Sequence, residues 1–150
     1  MVWHLPRRHN SRGFTLIEML CVIIVIAALA VLVIPHLLGA QRKAKEAQLA
    51  GNLKQIRDAV ERFESNTGAW PPALTDIIAA NGNAISANFD GRGGLVDRNS
   101  YDGPYMASPM RELPKDPFTE ATDWNYNNAT GAVHSAATLC AVDGSPYNTW

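Results

Sequence analysis

The feature that most constrains this chain is an apolar run from Met19 to Ile34, sixteen residues without a charge. Extended by Leu16, Ile17, Leu37 and Leu38, it is long enough as a helix to span a bilayer core of about 30 Å. One carboxylate, Glu18, stands near its start, and Arg7, Arg8 and Arg12 precede it. Arginines ahead of such a run keep that end cytoplasmic, and the C-terminal remainder of the chain is pushed across. Beyond residue 40 the composition changes. The chain reads as one membrane-embedded element carrying a soluble domain with only a thin core.

The formal net charge of −1 hides an asymmetry. Without the first thirteen residues there are ten Lys and Arg against fourteen Asp and Glu, a net of −4. No aromatic-laced basic patch remains in the body, so nucleic acid is not an expected partner. Cys21 lies in the apolar run and Cys140 near the far end. A bond between them would join hydrocarbon to the soluble domain, so both read as small hydrophobes, with a Cys140 link between neighbouring subunits as the alternative.

An ordinary secretory signal has small residues after its apolar core. Ala28 and Ala30 are available, but the run continues past them, and a cut there leaves a remnant without a job. The other option is a cut before the run. Gly13-Phe14-Thr15-Leu16-Ile17-Glu18-Met19 resembles the class III signal of type IV pilins and type II secretion pseudopilins. The resemblance implies cleavage between Gly13 and Phe14 by a membrane aspartyl protease, the prepilin peptidase, which also N-methylates Phe14. A residue without Cβ suits such a cut, because it lets a protease approach the backbone. Two readings stand for Glu18. It lies at headgroup depth and does nothing specific, or it meets the α-amino group of Phe14 in a neighbouring subunit and sets the stacking register, as the resemblance implies.

From Thr15 to about Ser65 the pattern predicts one helix, interrupted by Pro35, where a kink or a locally melted segment is expected. Gly39 loosens the same region. His36 reads as an interfacial polar residue. Beyond Gly39, Leu49, Leu53, Ile56, Val60 and Phe63 form a stripe at helical spacing, the face on which the soluble domain packs. A free-standing coiled coil is the weaker alternative, since Gly51 interrupts it. Lys54–Asp58, Arg57–Glu61 and Asp58–Arg62 are opposite-charge pairs four residues apart. Gly68 is placed to end the helix.

After Trp70-Pro71-Pro72, residues 75–80 predict a short helix capped by Thr75. Residues 81–100 predict loop, with one short strand around 94–96. Asp90, Asp97 and Asp102 do not have the spacing of a calcium loop. Pro104, Pro109, Pro114 and Pro117 forbid regular structure between Tyr101 and Phe118, leaving a stiff loop pinned by Tyr105, Leu113 and Phe118. Strands are expected at 124–126, 132–134 and 138–142, together a small antiparallel sheet. Asn128-Ala129-Thr130 is a formal glycosylation acceptor. The fold class is α+β and pilin-like: a long N-terminal transmembrane and amphipathic helix packed against a small C-terminal sheet. The expected divisions are a leader at 1–13, a membrane and filament-core half at 14–38, an amphipathic half at 39–67 and a periplasmic domain at 68–150.

Pro104-Tyr105-Met106 and Leu113-Pro114-Lys115-Asp116-Pro117-Phe118 resemble the corresponding region of the type II secretion major pseudopilins. Val142-Asp143-Gly144 resembles the start of that family's calcium-binding C-terminal loop, but Ser145-Pro146-Tyr147-Asn148-Thr149-Trp150 stands where the family has further Gly and Asp. Asp143 is therefore a weak metal candidate, and no cofactor is expected. His4, His9, His36 and His134 form no catalytic arrangement, so a non-enzymatic building block is expected. The resemblance implies a subunit that waits in the inner membrane and stacks into a filament. Its implied partners are the prepilin peptidase and N-methyltransferase, copies of itself, companion pseudopilins or pilins, and an inner-membrane assembly platform. The alternatives are a pilus subunit for adhesion, motility or DNA uptake, and a membrane-anchored binding module that never polymerises.

Overall fold

The computed structural model describes residues 13–106 and 112–150, without the side chains of Leu32 and residues 34–38. The arginine leader, Pro109 and the side chains of Pro35 and His36 lie outside the described set. The chain divides into two compact units, Met1–Ala40 and Gln41–Trp150. One helix, α1 (Leu16–Thr67), contributes to both. Its backbone is helical across Pro35 and Gly39 without a break, so no melted segment interrupts this single chain. A proline removes one hydrogen bond of the ladder, and the turns on either side keep theirs.

In the second unit the expected stripe is the core. Leu49, Leu53, Ile56, Val60 and Phe63 are all at most 2 % exposed, and Ile77, Val133 and Tyr147 meet them in the same cluster. Each such side chain contributes roughly 1.5–3 kcal/mol when fully buried. Phe63 also packs edge-on against Tyr101 and Tyr105, centroids 5.7 and 6.0 Å away. α1 stops at Gly68, whose φ of 78° and N–H bond to the Glu64 carbonyl, 2.8 Å, form the left-handed cap expected there.

Two antiparallel strands come next, β1 (Asn125–Asn127) and β2 (Ala132–His134), with Tyr126 opposite Val133. Gly131 closes their turn at φ 72° beneath the Trp70 ring, where a Cβ would come within 2.5 Å of the indole. The expected third strand at 138–142 is absent from this sheet. Cys140 instead bridges Pro146, because the chain turns back through Asp143 and Gly144 and satisfies itself, Ala141 N–H to Ser145 O at 2.7 Å. Trp124 lies just outside β1, its indole N–H 2.8 Å from the Pro114 carbonyl. The expected strand at 94–96 shrinks to one bridge between Phe89 and Leu95.

The short helix after the prolines is a 3₁₀ turn, Leu74–Ile78, and Thr75 does not cap it. Asp76 does that work: its buried carboxylate accepts from Ala73 N–H at 2.9 Å, Ser86 N–H at 2.9 Å and the Ser86 hydroxyl at 2.7 Å. The stiff loop is pinned as expected, with Tyr105, Leu113 and Phe118 against the core. The three pairs expected on α1, Lys54–Asp58, Arg57–Glu61 and Asp58–Arg62, do not close: among the described residues the ion pairs are Arg42–Glu46, also four residues apart on α1, Lys45–Glu120 and Arg92–Asp90. Arg57 turns to the Val133 and Trp150 main-chain oxygens, at 2.7 and 2.5 Å. Charge-assisted bonds to part-buried main-chain oxygens outbid an exposed carboxylate pair worth a few tenths of a kcal/mol, and the His134 ring nitrogen shares the Trp150 oxygen at 2.8 Å.

Candidate functional site

The first candidate site is the N-terminal end of α1. Thr15 is the N-cap, and the sequence Thr15-Leu16-Ile17-Glu18 closes a reciprocal capping box. The Glu18 N–H donates to Thr15 Oγ1 at 3.3 Å, and Glu18 Oε2 accepts from the Thr15 N–H at 2.9 Å and the Thr15 hydroxyl at 3.0 Å. A Thr three residues ahead of a Glu at the mouth of an apolar run is a legible signal, and one that sequence reasoning missed. Glu18 thus has a partner inside its own chain. Gly13 and Phe14 precede the helix and are exposed, and a Cβ built on Gly13 would meet nothing within 4 Å. Among the described residues no contact requires glycine at that position.

Every described large apolar side chain between Phe14 and Val33 is at least 46 % exposed. A helix apolar all round is stable only where something else covers it. Among the described residues no helical stretch is long and apolar enough to cross a membrane. In the sequence the apolar run continues through Leu32 and Ile34, whose side chains lie outside the described set. Gly39 likewise meets no described residue within 4 Å of a built Cβ.

The second candidate is the C-terminal segment that holds Asp143, the weak metal candidate. Asp143 Oδ1 accepts from the Ser145 hydroxyl at 2.6 Å and the Ser145 N–H at 2.9 Å, and those donors hold its carboxyl below the usual range. Among the described residues no three His, Cys, Asp or Glu side chains are grouped to hold a metal ion. The acid that α1 brings to this segment is Glu46, whose Oε1 accepts from the Val142 N–H and the Tyr147 hydroxyl, both at 2.8 Å. Arg42 stands 3.8 Å from the same oxygen and donates to the Cys140 carbonyl. Calcium takes six to eight oxygens. The donor set here does not fit it: Asp143 Oδ1 and Glu46 Oε1 already accept N–H and O–H donors, and the Arg42 guanidinium lies beside Glu46 and the Cys140 carbonyl.

Asp116, inside the Leu113–Phe118 stretch, is a second residue that sequence reasoning missed. It is fully buried, accepts from the Phe118 N–H at 2.8 Å and from the Ser135 hydroxyl, and Asn52 of α1 holds the neighbouring Lys115 carbonyl at 2.9 Å. The motif is therefore a docking loop between α1 and β2. Its signal is an acid between two prolines, a position where a carboxylate can satisfy main-chain donors left unpaired.

The model of the prokaryotic N-terminal methylation motif matches residues 8–34. The chain is 32 % identical over 124 residues to the type II secretion system core protein G of Klebsiella michiganensis, covering 78 % of this chain and 87 % of that one. It is equally similar to the core protein G of Pseudomonas aeruginosa, 32 % over 124 residues with the same coverage. It is also 30 % identical over 92 residues to the type IV wide pilus major component PilA4 of Thermus thermophilus, covering 61 % of this chain and 70 % of that one. No solved structure matches it significantly. The methylation motif opens the exposed apolar helix, the likeness to core protein G runs over most of the chain, and the chain belongs to the type II secretion system core protein G family, the major pseudopilins.

Proposed function

We propose that this chain is the structural filament subunit of a type II secretion-like machine, and that its polymerisation helps to move folded proteins across the outer membrane. The observation that carries the reading is the apolar stretch Phe14–Val33, whose described large side chains are all exposed, within a methylation motif. Before assembly the run from Phe14 to residue 38 lies in the inner membrane, single-pass, with the domain from Gly68 onward in the periplasm. In the filament the same run is covered by neighbouring copies.

Prepilin peptidase cuts between Gly13 and Phe14 and methylates the new amine. That amine lies one residue from the Thr15 N–H on which Glu18 already closes. Glu18 then exchanges its own cap for the amine of a neighbouring Phe14. In low dielectric the pairing of the two charges is stronger than in water, and a subunit one step out of register leaves both unpaired. Pro35 and Gly39 are where α1 changes shape as it leaves the membrane. The partners are the peptidase, further copies, companion pseudopilins and the assembly platform. No catalytic step is assigned to the chain itself.

A type IV pilus subunit is the alternative, favoured by the likeness to PilA4. Co-production with a secretin-bearing secretion system and, separately, with a retracting pilus system distinguishes the two. Rescue of protein release in a strain lacking its own core protein G supports the proposal. Rescue of surface pili alone overturns it.

A further inference from the structure

The segment Leu139–Trp150 is fastened to α1 more heavily than its exposure would lead one to expect. Arg42 donates to the Cys140 carbonyl, Glu46 takes the Val142 N–H and the Tyr147 hydroxyl at 2.8 Å, and Arg57 holds the Trp150 main-chain oxygen at 2.5 Å. Tyr147 is fully buried and stacks on Phe118 at 4.2 Å. Within the segment, Ala141 N–H bonds Ser145 O at 2.7 Å and Tyr147 N–H bonds Leu139 O at 3.0 Å. A turn that opens with Asp and Gly and folds back on a carbonyl is the kind of loop that a hard dication gathers, by drawing carbonyl and carboxylate oxygens to one point. Here the oxygens converge on a side chain of the protein. The Cys140 carbonyl and Glu46 Oε1 both face the Arg42 guanidinium, and a second positive charge beside it is repelled.

We propose that Arg42 is the built-in cation of this loop, oriented by Glu46, and that residues 139–147 dock on α1 without calcium. A planar fork with five N–H donors suits the task, because it can serve a carbonyl and a carboxylate together. Arg42 and Glu46 are positioning residues: they set the loop against the helix and leave Tyr147 in its pocket. The proposal does not depend on the secretion assignment, since it concerns one chain and is read without assembly.

The test uses the full chain in detergent micelles, with amide hydrogen exchange at Ala141, Val142 and Tyr147 and a thermal melt, each in excess calcium chloride and in excess EGTA. The wild type is expected to give the same exchange and the same midpoint in both. R42Q raises exchange at Ala141 and Tyr147 by about tenfold or more, the consequence of losing a charge-assisted hydrogen bond. It does so equally with and without calcium, while Ile56 and Val60 stay protected. R42K, which keeps the charge, recovers part of the protection. Should R42Q loosen the whole unit, E46Q is read at Val142 with the same two conditions and the same expected insensitivity to calcium. Slower exchange or a higher midpoint of the wild type in calcium overturns the proposal, as does unchanged exchange in both R42Q and E46Q.

Discussion

Thr15 and Glu18 hold each other across the first turn of α1, each accepting the other's backbone N–H, at 2.9 and 3.3 Å. The carboxylate proposed to greet a neighbouring subunit is therefore already engaged in its own. On the proposed reading, helix capping and filament register draw on one group, and the order in which they use it separates a waiting subunit from an assembled one.

That competition has a measurable form. Glu18→Ala is expected to leave peptidase cleavage intact and to abolish incorporation into sedimentable filaments. Thr15→Ala removes the hydroxyl half of the intrachain cap and keeps the residue-15 N–H bond to Glu18, and is expected to retain incorporation. Filaments at wild-type yield from Glu18→Ala, scored in the sheared high-speed pellet, would count against the register role.

Processing should depend on Gly13 and the fold should not. A Cβ there meets none of the described residues, so Gly13→Leu is expected to leave the thermal midpoint of the Gln41–Trp150 unit unchanged while the precursor accumulates in the membrane. N-terminal sequencing of the wild-type mature form should begin at Phe14. A start elsewhere sinks the proposed scissile bond.

Asp116 and Ser135 join the docking loop to the end of β2 in full burial. Ser135→Ala leaves a buried carboxylate oxygen short of a donor, a loss of about 1–3 kcal/mol. For a domain of about 100 residues this lowers the midpoint by several degrees per kcal/mol. Asp116→Ala removes the acceptor of the Phe118 N–H as well and should cost more. Equal midpoints for Ser135→Ala and wild type in a calorimetric melt would show the bond to be dispensable.

The pH profile should fall at both ends. Burial pushes Asp90 up, but the N–H groups of Gly94, Arg92 and Trp70 and the Arg92 charge outweigh it and leave the carboxyl below its ordinary value. A depressed carboxyl stabilises above its unfolded value, about 3.9, and the contribution is lost as the pH falls through the folded one. Asp90→Asn should flatten that acid limb. Burial, with Tyr105 and Asp76 nearby, pushes the Tyr101 phenol up to about 12. Its contribution is whole below the unfolded value of about 10 and is lost as the pH rises through the folded one. Tyr101→Phe should shift the alkaline unfolding midpoint upward in a circular-dichroism titration. An unshifted midpoint places the alkaline limb on other groups.

What is legible in the sequence is local. The stripe from Leu49 to Phe63 and the stop at Gly68 repeat with the period of a helix or demand a left-handed backbone, so neighbours in sequence suffice to reveal them. The capping box is equally local, but a carboxylate at the mouth of an apolar run reads first as a membrane charge, and that reading hides its bond to Thr15. The strand expected at 138–142 is a short, mostly apolar run. Such a run does not say whether a partner strand is available, and the Asp143–Gly144 turn supplies one from within.

The sequence by itself determined that this protein has an apolar helical end needing cover, a processing motif in front of it, and an amphipathic continuation on which a small domain packs. Only the tertiary structure decided where the charged residues go. Arg57 leaves Glu61 for the carbonyls of Val133 and Trp150, Glu46 reaches across to Tyr147, and Asp116 finds Ser135. The reason is physical: an apolar face is set by periodicity along one element, whereas a polar group pairs with whichever unsatisfied partner folding brings within about 3 Å, and those partners come from distant parts of the chain.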